Sequence, residues 1–267
     1  MPRVIDCHHH VGSVHGALGL GGADAAANRD LDVRLATMER NGVDQAILIP
    51  GHAYLRPNGL ADTRAANDAI ARYRDARPDK FPAAIGIVEP LYGEAGLGEL
   101  ERIKRELGLA GVSFHTRFQG VSTDSPLTRR IIARMGELGL VPFLHALAEI
   151  SDEAPWRIAA IARDFPDLPM LVLDAFSSME QCQQLLLLGE VAPNLLFDTS
   201  LVYTFDLVMP FVRKFGADRV VYGSDLYSHP LGYHRTHVLQ QIQEADLSDA
   251  ERAAILSGNI TRLLHLD

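Results

Sequence analysis

Apolar and polar positions along the chain follow two patterns that alternate from one end to the other. Short continuous runs of Val, Ile, Leu and Phe are followed by longer stretches in which apolar residues recur every three to four positions. The runs are typical of strands buried on both faces, and the longer stretches are typical of amphipathic helices. The pattern predicts eight strands, which begin with the apolar pair Val4 and Ile5 and continue at 45–49, 81–88, 110–115, 140–145, 169–174, 194–198 and 219–222.

A helix is predicted after each strand, at 30–41, 62–76, 95–107, 126–138, 153–163, 178–188 and 205–215, with further helices to the end. Repeated strand–helix units imply parallel strands, and eight of them predict a single α/β domain over residues 1–267, a closed (β/α)₈ TIM barrel. An open doubly wound sheet is the alternative. The glycine- and alanine-rich segment 11–29 is predicted to be a long loop, which is either flexible or functional.

Composition and charge narrow the class of function. The 267 residues are 47% hydrophobic and 22% charged, as in an ordinary globular protein, and the net charge is −9. This acidic balance argues against nucleic acid and anionic membrane as partners. Two cysteines give no disulfide framework, and neither a membrane-length apolar run nor a signal-peptide pattern is present. We therefore expect a cytoplasmic protein.

Titratable residues recur where the predicted strands end. Side chains alternate along a strand, so His8 and His10 should share one face after the first strand. Active sites of TIM barrels lie at the C-terminal ends of the strands. Three imidazoles and a carboxylate at one rim suit Zn²⁺ or another divalent metal. The other strand-end residues of this kind are Glu89, His115, His145, Asp174, Asp198 and Asp225.

Together these motifs resemble the amidohydrolase superfamily, in the branch of the aminocarboxymuconate-semialdehyde decarboxylase-like proteins. The resemblance spans nearly the whole chain and keeps the order of the motifs. It implies a distorted barrel with one divalent ion, usually Zn²⁺, bound by His8, His10, His145 and Asp225. The residues that carry it are Ile5-Asp6-Cys7-His8-His9-His10, Gly111-Val-Ser-Phe-His115, Phe143-Leu-His145, Gly223-Ser-Asp225 and Gly258-Asn259-Ile-Thr-Arg262-Leu-Leu.

One position departs from the family pattern. The resemblance implies a histidine after strand 6, which helps to polarise the substrate or to move a proton, but this chain has Asp174 there. Strand 4 offers Ser113 and His115 in place of the lysine that bridges two metals in some relatives, which favours one metal. An aspartate beside a cation is expected to be ionised. We expect Asp174 to contact the metal or its water, with pairing to His115 or Arg117 as the alternative.

Further residues are candidates for catalysis, substrate binding and support of the site. His115, with Asp225 and Asp174, is a candidate catalytic residue, and together with Arg117 it could hold a substrate carboxylate or oxyanion. His52 and Tyr54 follow strand 2 and are candidate substrate-binding residues. The strand alternation predicts that Cys7 faces away from the site as buried structure and that Asp6 supports one of the histidines.

The first functional hypothesis is a metal-dependent hydrolase, in which a metal-activated water attacks an amide, lactone or ester and Asp225 transfers the proton. The second is a non-oxidative decarboxylase of a small, for example aromatic, carboxylic acid. The absent strand-6 histidine weakens that second reading. A degenerate barrel that binds a ligand without turnover is the third. The resemblance leaves the oligomeric state open, with a homodimer as one alternative.

Overall fold

The computed structural model describes residues 2–12, 24–52, 56–227 and 237–266, with side chains in the first helix from Asp30 onward. Within these ranges the chain forms strands β1 to β8, each short and almost fully buried. Their bounds are Ile5–Val11, Gln45–Pro50, Ile85–Ile87, Gly111–Phe114, Val141–His145, Met170–Leu173, Leu195–Asp198 and Val220–Val221.

Helices α1 to α11 separate and follow these strands. None that the structure describes combines the length and the apolar character needed to cross a membrane. Their bounds are Asp24–Asn41, Leu60–Ala76, Glu94–Arg105, Thr116–Gln119, Pro126–Leu138, Pro155–Asp164, Met179–Val191, Met209–Phe215, His237–Glu244, Asp249–Ala253 and Asn259–Leu264.

The eight strands run parallel around a ring, as the alternating pattern predicts. β1 pairs with β2, and β3 to β8 pair in sequence order. Two bridges join these sheets, one between Leu48 and Ala84 and one between His9 and Leu226. The His10 amide also donates to the Leu226 carbonyl at 2.7 Å. The architecture is a (β/α)₈ barrel, and all strand C-termini meet at one mouth.

Local sequence explains most element boundaries, and two predictions were wrong at the edges. Ser125 and Ser178 cap α5 and α7 through their side-chain oxygens, and Gly139 ends α5 in a left-handed conformation. The first helix begins at Asp24, six residues before its predicted start, because the alanines that suggested a loop are strong helix formers. β3 is shorter than the predicted strand 81–88, because only Ile85–Ile87 pair with β4.

β1 carries an irregularity that changes which side chains face the barrel interior. Its register with β2 shifts between Asp6 and His9. Cys7 consequently packs in the interior apolar cluster with Ile5, instead of facing away from the site as alternation predicted. The thiol is fully buried, so its structural role is unchanged.

Two apolar clusters hold the barrel. The larger lies between the strands and the surrounding helices. The smaller fills the barrel interior, and its members on β5 and β6 include Phe143, Leu171 and Leu173. Phe143 precedes His145 by two residues, so the same face of β5 carries an apolar floor and, one step closer to the mouth, a site residue. This apolar floor closes the base of the polar site.

Candidate metal centre and active site

Three buried imidazoles lie together at the C-terminal mouth. His8 and His10 come from β1, and His145 ends β5. The ring centroids of His8 and His10 are 4.8 Å apart, and that of His145 lies 5.3 Å from His8 and 5.6 Å from His10. Residues 135 or more positions apart in the sequence are thus brought into contact, as the strand-end argument predicted.

The partners of these rings fix which nitrogen faces the centre. Nδ1 of His8 donates to the Asp198 carboxylate at 2.8 Å, that of His10 to the Pro50 carbonyl at 3.2 Å, and that of His145 to the Phe114 carbonyl at 2.9 Å. Carbonyl and carboxylate oxygens only accept, so in the neutral rings each Nδ1 carries the hydrogen and each Nε2 presents a lone pair.

The three Nε2 atoms lie close together, and their lone pairs form a site suited to a cation. Nε2 of His8 and Nε2 of His10 are 2.9 Å apart, although neither neutral ring has a hydrogen to place between them. Nε2 of His145 is buried without a hydrogen-bond partner. Imidazole Nε2 atoms held by outer hydrogen bonds in this manner are the usual ligands of Zn²⁺ and similar divalent ions, and the residues present therefore fit such an ion.

Two carboxylates complete the centre. The Asp225 Oδ1 atom lies 3.4 Å from Nε2 of both His8 and His10. Ligand atoms of His8, Asp174 and Asp225 lie within 4.8 Å of one another, as do those of His8, His10 and His145. Among the described residues no hydrogen bond or ion pair joins Asp174 to His115 or Arg117. Asp174 therefore lies beside His8 and Asp225, and its contact with a metal stays a prediction.

Asp198 and Ser200 support the centre from β7 and the loop behind it. Ser200 Oγ lies 2.9 Å from the Asp174 carboxylate and 2.7 Å from that of Asp198, and it accepts the Asp174 backbone N–H at 3.0 Å. Ser200 Oγ also lies 3.0 Å from Nδ1 of His8. All four residues are buried, so this network orients a histidine and a carboxylate together.

Asp174 and Asp225 both adopt a backbone conformation that non-glycine residues disfavour. Asp174 and Asp225 have φ values of 57° and 56°, a left-handed region that costs a non-glycine residue about 1–2 kcal/mol. The Asp174 carbonyl accepts from Gln181 Nε2 at 2.7 Å, and Asp6 accepts the Ser224 amide beside Asp225 at 3.0 Å. Such strain persists where surrounding contacts determine the conformation, and it is commonly found at functional sites.

Gly223, in the predicted Gly-Ser-Asp motif, is packed so closely against its neighbours that it leaves no room for a side chain. A Cβ atom at this position would lie 2.8 Å from the Asp198 Oδ2 and 3.1 Å from both the Cys7 sulfur and the His8 Cβ. A side chain there would push against the residue that orients His8. The motif therefore combines a glycine that admits Asp198 with an aspartate that reaches the centre.

The strands β2 and β4 contribute the other side of the site. Nε2 of His52 lies 3.1 Å from the Ser113 hydroxyl, and its Nδ1 is buried without a partner. The His115 ring stacks on His145 at 4.2 Å with an interplanar angle of 4°. Nδ1 of His115 donates to Glu153 at 2.5 Å, and the same Glu153 oxygen accepts the Arg117 backbone N–H at 3.0 Å. Tyr54 lies outside the described residues.

The pKa shifts differ between the side of the site that carries the carboxylates and the side that carries the other imidazoles. Burial alone would lower the pKa of His8, but Asp225, Asp198 and Asp174 together raise it to about 10. Burial raises the pKa of Asp174 to about 6 and that of Asp225 well above its usual value; the neighbouring Asp198 raises the first further, and Asp174 and Asp198 raise the second. The field on this side therefore favours a positive charge beside His8, which either a proton or a divalent ion supplies.

The imidazoles of the opposite side are held neutral. Burial, followed by neighbouring positive charge, lowers the pKa of His10, His115 and His145 well below the ordinary value. The same cause, with Arg56 next, lowers the pKa of His52 to about 3. Burial raises the pKa of Glu153 to about 7. Neutral imidazoles are the form that binds a metal, so the low pKa values of His10 and His145 suit their assignment as ligands, whereas His8 must lose its proton to bind one.

The sequence missed two residues that the structure brings to the site and misread a third. Ser200 and Glu153 carry no motif, and Glu153 was expected inside a helix. Asp198 was recognised as a strand-end carboxylate but not as a partner of His8, although the rule that strand ends meet could have suggested it. Asp6 accepts from His9 Nε2 at 3.0 Å and from the His8 amide, so its imidazole partner is His9.

Comparisons with known proteins agree with the fold and the motifs. The sequence matches the amidohydrolase family over residues 5–266. A 2-amino-3-carboxymuconate-6-semialdehyde decarboxylase of Dictyostelium discoideum is 30% identical over 122 residues, which make up 43% of this chain and 33% of that protein. The match thus spans about a third of the curated relative's length.

Solved structures share the fold at low identity. A 2,6-dihydroxybenzoate decarboxylase from Rhizobium superposes with a TM-score of 0.74 at 18% identity, covering 99% of both chains. A 5-carboxyvanillate decarboxylase from Novosphingobium aromaticivorans, solved with manganese and 4-hydroxy-3-methoxy-5-nitrobenzoic acid, gives 0.76 at 18% identity over 99% of this chain and 96% of that one. Because the sequence match runs through every strand that builds the site, the chain belongs to the amidohydrolase family.

Proposed function

We propose that this chain is a metal-dependent enzyme that removes carbon dioxide from a small carboxylic acid without a redox cofactor. The observation that carries the proposal is a pair of clusters that share the buried His8, one with His10 and His145 and the other with Asp174 and Asp225. The relatives named above are decarboxylases, which favours this reaction over the hydrolysis that was the first expectation from the sequence.

In this proposal His8, His10, His145 and Asp225 hold one divalent cation. A cation bound there would stabilise negative charge on a substrate oxygen. Zinc was the expected ion, but a structural neighbour was solved with manganese, so both ions are candidates. Asp198 keeps the Nδ1 atom of His8 occupied as a donor, which directs the Nε2 lone pair to the cation.

The proposed reaction also needs a proton. When the carbon–carbon bond to the carboxylate breaks, its electron pair stays on the substrate carbon, carbon dioxide leaves, and a proton must reach that carbon. Oxygen atoms of Asp174 and Asp225 lie within 4.8 Å of each other, and two buried carboxylates at this range do not both ionise easily. With Asp225 assigned to the cation, Asp174 is the proposed donor, in the place where the family resemblance implies a histidine.

The substrate would lie between the cation and the β2 and β4 side. His115, Arg117 and His52 are the residues proposed to bind it, since they offer hydrogen-bonding groups around the imidazole cluster. Glu153 holds the His115 ring by accepting from its Nδ1, which leaves Nε2 of His115 for the substrate. The buried apolar floor beneath the site limits access of water from below.

Hydrolysis is the second candidate, and Asp174 is the observation that favours it. A carboxylate cannot donate a hydrogen bond when ionised, whereas it can accept a proton from an attacking water. Asp174→His would restore the family pattern, and Asp174→Asn would remove the exchangeable proton. If decarboxylation is correct, Asp174→Asn should lower carbon dioxide release by about 10²-fold or more, while Asp174→His retains part of it.

The test starts from protein purified without chelator. Elemental analysis should find about one Zn or Mn per chain, and the double variant His8→Ala, His10→Ala should lose it. Carbon dioxide release from hydroxylated aromatic acids is then measured beside hydrolysis of lactones, amides and esters. Hydrolysis with no carbon dioxide from any acid would replace the first candidate by the second. Stoichiometric metal in the double variant would refute the ligand assignment.

A further inference from the structure

Arg117 is a cation at the edge of the site, and among the described residues its side-chain N–H groups have no hydrogen-bond acceptor. It lies in α4, directly after β4, and its backbone N–H is bonded to Glu153. The guanidinium carbon sits 4.7 Å from the centroid of the Phe118 ring. Within the described part of the chain, no carboxylate pairs with the Arg117 side chain, and its Nε atom is buried without a partner. Stacking uses the face of the guanidinium and leaves its N–H edges available.

A second arginine near the site, Arg56, is already engaged. Arg56 Nε donates to the Glu89 carboxylate at 2.6 Å, and the side chains of both residues are more than nine-tenths buried. Arg117 is instead partly exposed. Its neighbour Glu153 also accepts from His115, whose ring stacks on the candidate ligand His145, so Arg117 is tied to the metal centre through two contacts.

Charge is distributed unevenly around the mouth. The carboxylates of Asp174, Asp198 and Asp225 come from the ends of β6 to β8, and they would repel an anionic group of the substrate. Arg117 follows β4, and its positive charge lowers the pKa of His115 and acts on Asp174 as well. An anionic substituent placed away from the carboxylates would therefore be directed toward Arg117.

We propose that Arg117 binds a second carboxylate of the substrate, the one that stays on the product, and that the substrates are therefore small dicarboxylic acids. This inference rests on the proposed decarboxylation. A leaving carboxylate loses its charge as carbon dioxide forms, so an arginine paired with it would stabilise the ground state more than the transition state and slow the reaction. A retained carboxylate keeps its charge throughout, and a bidentate arginine holds it equally well at every stage.

The experiment compares two matched acids on three proteins loaded with Mn²⁺. The acids are a hydroxylated benzene-1,3-dicarboxylate and the corresponding monocarboxylic hydroxybenzoate, and carbon dioxide release gives kcat/KM for each. The proteins are the parent, Arg117→Gln, and Arg130→Gln as the control. Arg130 is exposed on α5 and paired with Glu94, so its replacement removes the same charge away from the mouth.

The parent should prefer the diacid. Arg117→Gln should lower kcat/KM for the diacid by roughly 10- to 100-fold, mainly through KM, and change the monoacid by less than about threefold, because one charged hydrogen-bonded pair is lost. Arg117→Lys should recover part of the diacid activity, and Arg130→Gln should match the parent. An equal loss on both acids would overturn the proposal in favour of a role in the reaction or in folding.

A binding measurement keeps the proposal testable if no acid is decarboxylated. Isothermal titration of the same proteins with benzene-1,3-dicarboxylate and benzoate reports recognition without turnover. Tighter binding of the dicarboxylate that is lost in Arg117→Gln would support the subsite even if the proposed reaction fails. Equal affinity of the parent for both compounds, or no effect of Arg117→Gln, would refute it.

Discussion

Replacing His52 by Asn should make the metal-free protein less sensitive to mild acid. Burial lowers the pKa of His52 to about 3, against 6.5 in the unfolded chain. Below pH 6.5 His52 therefore binds a proton in the unfolded state but not in the folded state. The free energy of unfolding consequently decreases as pH falls from 6.5 toward 3. Asn keeps a polar group beside Ser113 but has no titrating nitrogen.

The size of the effect follows from these two pKa values. Between pH 7.5 and pH 5.5 the unfolded His52 gains nearly one proton while the folded one gains none, which costs about 1.4 kcal/mol of unfolding free energy. His10, His115 and His145 act in the same direction, because their pKa values are also lowered by burial. His8 acts in the opposite direction, because the surrounding carboxylates raise its pKa to about 10.

Urea unfolding at both pH values, in the presence of chelator, measures the difference. The parent should lose about 1.4 kcal/mol more than His52→Asn on going to pH 5.5, a shift of roughly 0.5 M in the urea midpoint for a slope of about 3 kcal/mol per molar. His265→Asn is the control, because it replaces an exposed histidine far from the site by the same residue. The reasoning is refuted if His52→Asn and the parent show the same pH dependence, whatever their absolute stabilities.

Three further predictions concern the proposed metal centre. Asp225→Asn should lower turnover by about 10²–10⁴-fold and weaken metal retention, measured by steady-state kinetics and elemental analysis; near-parental turnover would remove Asp225 from the reaction. Asp198→Asn should weaken metal affinity or activity by about 10- to 100-fold, since it alters the partner of His8 Nδ1; an unchanged metal Kd by competition with a chelating dye would contradict this. Gly223→Ala should likewise weaken metal retention, because the added methyl group would press on Asp198. Metal content and melting temperature equal to those of the parent would show that the loop accommodates the methyl group.

The order of elements could be read from the sequence because it depends on local chemistry. Apolar runs bounded by turn residues predicted eight strands, and helical periodicity predicted the helices between them. The (β/α)₈ fold then followed from general rules on parallel strands. Element boundaries were less accurate: the alanine-rich start of α1 was assigned to a loop, since composition alone does not distinguish an alanine-rich helix from a linker.

The candidate site was also partly readable, because strand ends in this fold converge at one mouth. His8, His10, His145, Asp174 and Asp225 could be grouped before any distance was known, and the structure places their side chains together. Their roles in binding a metal and in turnover stay predictions.

Only the tertiary structure decided the contacts that depend on exact placement. The register shift in β1 put Cys7 inside the barrel, and no sequence pattern announces such a shift. Ser200 and Glu153 became site residues because loops from different strands fold over the mouth. That Nε of Arg117 has no partner among the described residues was visible only once its surroundings were known. Sequence patterns report which residues are buried and how elements repeat, whereas hydrogen bonds and pKa shifts depend on distances of a few ångströms between residues far apart in the chain.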